Sequence, residues 1–92
     1  LTFSASIVEE YLKIAPNPVQ SNSSYQIFTN VDSAKLLNAR ITVFNTVGIL
    51  MNDKIVDNKT MDMIAPSTEG IYIVRLTLAN GKYFTKNLLV KN

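Results

Sequence analysis

The 92-residue sequence contains no cysteine, no histidine and no tryptophan. Without cysteine there is no disulfide scaffold, no thiolate zinc site and no thiol nucleophile. Without histidine the commonest general base is missing, and with it the Ser-His-Asp triad and imidazole-ligated metals. Charge is scarce as well. Nine basic against seven acidic residues leave a net charge of +2, too small to point to nucleic acid as a partner despite a pI near 9.0. The longest uninterrupted apolar run, Ile71 to Val74, has four residues, against the roughly 20 that a membrane-spanning helix needs. The length fits one compact domain and leaves no room for two.

What is abundant is pleat-forming chemistry. Val, Ile, Thr, Tyr and Phe make up 33 of the 92 residues, a bias toward strands. Alternation marks seven candidate strands: Tyr11–Ile14, Tyr25–Thr29, Ala39–Asn45, Ile49–Val56, Lys59–Ile64, Ile71–Ala79 and Lys82–Lys91. Between them, Pro16-Asn17-Pro18 ends ladder pairing because proline fixes φ and lacks an N–H. Gln20 to Ser24 reads as a polar loop, Ser33 to Leu37 as an isolated helical turn, and Pro66 to Gly70 as a loop. Asn80-Gly81 between two strand-like runs predicts a two-residue type I′ hairpin. Tyr72, Val74, Leu76 and Leu78 share one face of the first of these strands, and Phe84, Leu88 and Val90 one face of the second, with Lys86 interrupting. Short strands at regular spacing with no long helix predict an all-β fold, an Ig-like antiparallel β-sandwich of about seven strands. Residues 1–10 read as a linker from an upstream domain and 11–92 as the domain itself.

No catalytic constellation emerges. Glu9 and Glu10 are adjacent, so on a strand they point to opposite faces and form no dyad. Asp53, Asp57 and Asp62 are close in sequence, but Lys59 stands where a calcium loop needs an acidic ligand and Thr68 where it needs glutamate. Tyr25, Phe28, Phe44, Tyr72, Tyr83 and Phe84 either build an aromatic sugar-binding platform or serve core and cross-strand packing. Asn22-Ser23-Ser24 and Asn58-Lys59-Thr60 match the N-glycosylation sequon, which matters only in a eukaryotic secretory pathway.

Three islands in order carry a resemblance. They are Leu12-Lys13-Ile14-Ala15-Pro16-Asn17-Pro18-Val19, then Ile41-Thr42-Val43-Phe44-Asn45-Thr46-Val47-Gly48, then Gly70-Ile71-Tyr72-Ile73-Val74-Arg75-Leu76 with Asn80-Gly81 and Lys86-Asn87-Leu88-Leu89-Val90-Lys91. Together they resemble the C-terminal sorting domain of the type IX (Por) secretion system of Bacteroidetes, over about residues 12–91. Ala15 departs from the family's usual aromatic before the first proline, and the segment before Gly70 lacks the usual leucine.

The resemblance implies a non-catalytic address at the C-terminus of a cargo protein, with no cofactor and no metal. Its partners would be the outer-membrane translocon and a sortase-like peptidase of that system. The cargo would cross the periplasm and end at the cell surface or outside the cell, anchored or released, after cleavage at or before residues 1–11. The residues carried over as translocon recognition candidates are Pro16, Asn17, Pro18, Gly48, Gly70, Tyr72, Gly81, Lys86, Leu88, Val90 and Lys91. Each also has a structural role: turns for the glycines, edge protection for the prolines, core for Tyr72 and Val90. The terminal hairpin as a whole is the candidate recognition element, its last strand open to strand addition. Asp32-Ser33-Ala34 resembles the acceptor of periplasmic O-glycosylation in the same phylum, which would place a glycan on Ser33. The rival reading is an Ig-like carbohydrate-binding or adhesive module of a secreted enzyme. Exchange of the final hairpin between chains would give a domain-swapped homodimer.

Overall fold

The computed structural model describes residues 9–92, and most of the predicted linker lies outside the described residues. Eight strands form two sheets packed face to face: β1 Leu12–Ala15, β2 Val19–Gln20, β3 Ser24–Thr29, β4 Arg40–Asn45, β5 Leu50–Ile55, β6 Thr60–Ile64, β7 Gly70–Thr77 and β8 Tyr83–Lys91. The smaller sheet has the order β1-β3-β6 and the larger the order β2-β8-β7-β4-β5. The predicted sandwich is present, with one strand more than seven. The extra strand is β2, made of Val19 just after the Pro-Asn-Pro break and Gln20, the first residue of the expected loop. It pairs parallel with β8, Val19 against Val90 and Gln20 against Lys91, whereas the other ladders are antiparallel. Two residues carry too little alternation to announce a strand, and this one exists only because β8 lies beside it.

Period-2 alternation builds the core. Leu12, Tyr25, Ile27, Met61 and Met63 of the small sheet face Ile41, Val43, Tyr72, Val74, Leu76, Leu88 and Val90 of the large one, all at most 4 % exposed. Val31, Leu36, Leu78 and Val56 close the ends. The isolated turn is a 3-10 helix, Ser33–Leu36, with the Asp32 carboxylate accepting from the Ala34 N–H at its start. β5 is exposed along its whole length. Its inward positions, opposite Ile41 and Val43, are Lys54 and Asn52, and polar side chains there cannot join an apolar core. Lys54 instead donates to the Asp62 carbonyl of β6.

Two hairpins turn in the same way. In one, Gly48 N–H donates to Asn45 C=O and Asn45 N–H to Ile49 C=O; in the other, Gly81 N–H donates to Leu78 C=O and Leu78 N–H to Lys82 C=O. Each is a three-residue loop whose last residue is glycine at positive φ, +87° at Gly48 and +92° at Gly81. The predicted type I′ turn at Asn80-Gly81 is therefore corrected: Asn80 has no positive φ, and its Oδ1 caps the Lys82 N–H instead.

Open space surrounds both glycines, so a methyl group there meets no clash and only the backbone resists it. Gly48→Ala and Gly81→Ala should each cost about 1–2 kcal/mol, lowering the melting temperature by about 4–8 °C for each kcal/mol in a domain of this size. Thermal melts followed by circular dichroism measure this, and unchanged midpoints would refute the assigned turn geometry.

Candidate recognition surface

The recognition candidates separate by position. Gly70 pairs with Val90 and Tyr72 with Leu88 across the β7–β8 ladder. Pro16, Asn17 and Pro18 link β1 to β2 beside the same end of β8, and Gly48 lies in the β4–β5 loop, whose neighbour Asn45 pairs with Tyr72. With Lys91, nine of the eleven thus gather at one end of the sandwich. Gly81 sits in the hairpin at the opposite end, and Lys86 lies midway, paired with Val74. Leu88 and Val90 are fully buried, so what they offer a partner is the placement of the strand, not their side chains. Tyr72 is buried too, its hydroxyl donating to the Thr68 carbonyl at 2.6 Å. Lys86 and Lys91 are exposed.

The structure revises one expectation: β8 is not an open strand at its C-terminal end. Asn17 Nδ2 donates to Asn87 C=O at 2.8 Å, and Asn17 Oδ1 accepts from Leu89 N–H at 2.9 Å. A residue of a parallel strand bonds its neighbour in this pattern, giving one N–H to residue i and taking one from residue i+2. The carboxamide therefore stands in for a peptide group, and β2 continues the ladder from it. Further along, Ser21 N–H donates to Lys91 C=O at 2.7 Å, and Ser21 Oγ lies 2.8 Å from Asn92 Oδ1. Both prolines flank the asparagine, at cis Ala15–Pro16 and Asn17–Pro18 peptide bonds. The other flank of the chain end meets Glu69, whose Oε1 accepts from Asn92 N–H.

The same device recurs where the chain enters. Asn30 Nδ2 donates to Glu9 C=O at 2.9 Å and Asn30 Oδ1 accepts from Tyr11 N–H at 2.8 Å. Nothing in the sequence marks Asn30 for this. Beside it, Glu10 bridges Lys82 of the terminal hairpin at 2.9 Å and Lys35 of the 3-10 turn at 3.3 Å. These hydrogen bonds, to Lys82 first and Lys35 second, hold the Glu10 carboxyl below its ordinary value of 4.5. The chain thus enters at the Gly81 end, opposite the end where Asn17, Gly70 and Lys91 lie.

Other candidates are dispersed. Asp53 is paired in two hydrogen bonds with Arg40 at 3.0 and 2.9 Å, and Asp62 accepts from Gln26. No group of three potential ligands gathers among the described residues. Ser33 is exposed at the start of the 3-10 turn that Asp32 caps. Of the six aromatics, Tyr25 and Tyr72 lie in the core and Phe84 packs against it. Phe44 and Tyr83 face outward from the large sheet around Arg75, an arrangement the alternation of β4 and β7 permits but does not announce.

Two expectations follow. Asn17→Leu removes both bonds to β8, so the Leu89 amide should exchange with solvent roughly tenfold faster, in line with the ~1 kcal/mol a net hydrogen bond contributes; an unchanged rate would mean that the carboxamide does not hold this edge. For Glu10, a folded-state pKa below the unfolded value gives stability that is fully present above about 4.5 and is lost as the pH falls through the folded pKa. The difference in melting temperature between the wild type and Glu10→Gln should therefore shrink from pH 7 to pH 3, and a constant difference would refute the bridge.

The chain was also compared with known proteins. No curated protein and no solved structure matches it. A family model, the secretion system C-terminal sorting domain, matches residues 13–91, which span the first strand, the Pro-Asn-Pro link, both sheets and the terminal hairpin. The chain belongs to this family, the C-terminal sorting domains of the type IX secretion system, whose members direct export across the outer membrane to the cell surface or beyond.

Proposed function

We propose that this domain acts as a folded address: the outer-membrane translocon reads the end of the sandwich formed by Asn17, β2, Gly70 and the last residues of β8, and a sortase-like peptidase then cuts upstream. The observation that carries the reading is polarity. Nine of the eleven candidates collect at one end, while the chain enters at the other, where Glu10 is tied to Lys35 and Lys82. A cargo attached before Glu9 would then leave the far end uncovered for a receptor. Cargo would be released or joined to the surface after cleavage at or before residues 1–11. No step asks for catalysis by this domain.

The surface there combines fixed backbone with free charge. Lys91 stands at the end of a strand pinned on both sides, and a groove of about 350 Å³ runs from Asn17 past Lys13, Ile14, Ala15 and Phe28 to Lys86 midway along β8. Because β2 and Asn17 occupy the edge of β8 from Asn87 to Lys91, recognition in this reading engages side chains and the closed end rather than an added strand.

The test is a fusion of residues 1–92 behind a signal peptide and a reporter, in a Bacteroidetes host with or without a working translocon. Deleting Lys82 to Asn92 should leave the reporter in the periplasm. That deletion also removes Leu88 and Val90 from the core, so a second variant, Lys86→Glu with Lys91→Glu, changes only exposed charge. It should keep its melting temperature and lose export several-fold. Export of the truncated fusion, or full export of the charge-reversed one, would overturn the reading of this end as the recognised surface.

A further inference from the structure

The outward face of the large sheet carries a feature that neither the core nor the far end explains. Register places Phe44 beside Ile73, Thr42 and Thr85 on either side of Arg75, and Thr77 beside Tyr83. Arg75 is thus a diagonal neighbour of both rings, within reach on a pleated surface. Its guanidinium carbon lies 4.9 Å from the Tyr83 ring centre and 5.4 Å from that of Phe44. Its Nε is shielded from solvent and has no hydrogen-bond partner. The described residues hold ion pairs at Glu10 and at Arg40–Asp53, and none involves Arg75.

Thr42 and Thr85 flank this cation directly, and toward the Gly70 end the face becomes apolar and open. Ile71 is 50 % exposed, Tyr83 59 % and Leu50 50 %, and Leu89 stands directly opposite Ile71. A shallow groove of about 260 Å³ runs beside Arg75 between Phe44, Thr46, Gly48 and Ile73. A guanidinium held close to two rings is already restrained, so it has little freedom left to lose on pairing, and its planar fork matches a carboxylate. Arginine and tyrosine in an apolar surround form the usual centre of a protein interface.

We infer that this face is a second docking surface, for a protein partner presenting a carboxylate flanked by apolar side chains, with the carboxylate seated on Arg75. Charge complementarity selects the carboxylate: Asp53, the nearest acid in register, is taken by Arg40. The openness of this groove selects a protein over a small acid, since among the described residues no enclosed pocket surrounds the guanidinium. The surface borders the Asn17 end, with which it shares Gly48 and Leu89, but it is centred on Arg75 and does not depend on the sorting role.

The experiment is a titration of the labelled chain, followed by amide and arginine Nε–H NMR signals, with a blocked pentapeptide carrying one glutamate between leucines. Its glutamine counterpart is the control, and both are taken to about 10 mM, the range where contacts of a few kcal/mol register. The glutamate peptide should move the signals of Phe44, Ile73, Arg75 and Thr85, with at least fivefold weaker binding by the glutamine peptide. Arg75→Gln should abolish that preference and Arg75→Lys restore part of it, with both melting near the wild type. Equal response to both peptides, movement centred on Lys13 and Lys86 instead, or no movement would each overturn the proposal. An Arg75→Gln chain that no longer folds leaves the peptide comparison on the wild type to decide.

Discussion

Everything in this sandwich depends on β7 being paired on both edges and buried on one face. Its inward residues Tyr72, Val74 and Leu76 meet the small sheet, while β4 and β8 bond its two edges over nearly their full length. A strand so placed has no freedom of register, because a slip of one residue would exchange Val74 for Arg75 in the core. That fixed register carries the positions of its neighbours. It sets Leu88 and Val90 inward, puts Val90 opposite Gly70, and brings Arg75 close to two rings on the outside.

The second constraint is the backbone edge. A sheet of this size leaves rows of N–H and C=O groups at its borders, which attract other strands unless they are occupied. Here the Asn17 carboxamide does that work on β8, while the Asn30 carboxamide extends the β1–β3 ladder to the segment before β1, each offering one donor and one acceptor to alternate peptide groups. A carboxamide has the same polar atoms as a peptide without the demand for a further strand. The Pro-Asn-Pro link thus has a physical reason for its middle residue as well as its outer ones: proline cannot donate to a ladder, and asparagine supplies through its side chain what the main chain there does not. The same closure distinguishes the two borders of the large sheet, since β5 at the other border has every residue exposed.

Function follows from this division. Glu10 is tied at one end by its double lysine bridge, and Lys91 and Asn92 lie at the other, between β2 and the loop that bears Glu69. The closed edge of β8 and the ties at both ends of the sandwich are in keeping with a family whose members act as sorting signals.

The alternation of β3, β4 and β7, the glycine turns and the Pro-Asn-Pro break were legible in the amino-acid order, because burial on a pleated strand imposes a period of two that local chemistry displays. So was the family, through three islands whose spacing spans the chain. Other features were decided by tertiary structure alone. β2 has two residues and is a strand only because β8 offers it an edge. The turn at Asn80-Gly81 took three residues, since the ladder closes between Leu78 and Lys82. Asn17, Asn30, Glu10 and Arg75 found partners 8 to 72 positions away in the chain. Sequence determines which side chains face inward, because alternation is local; which polar groups meet is set by register and by the packing of two sheets, and those exist only once the chain has closed.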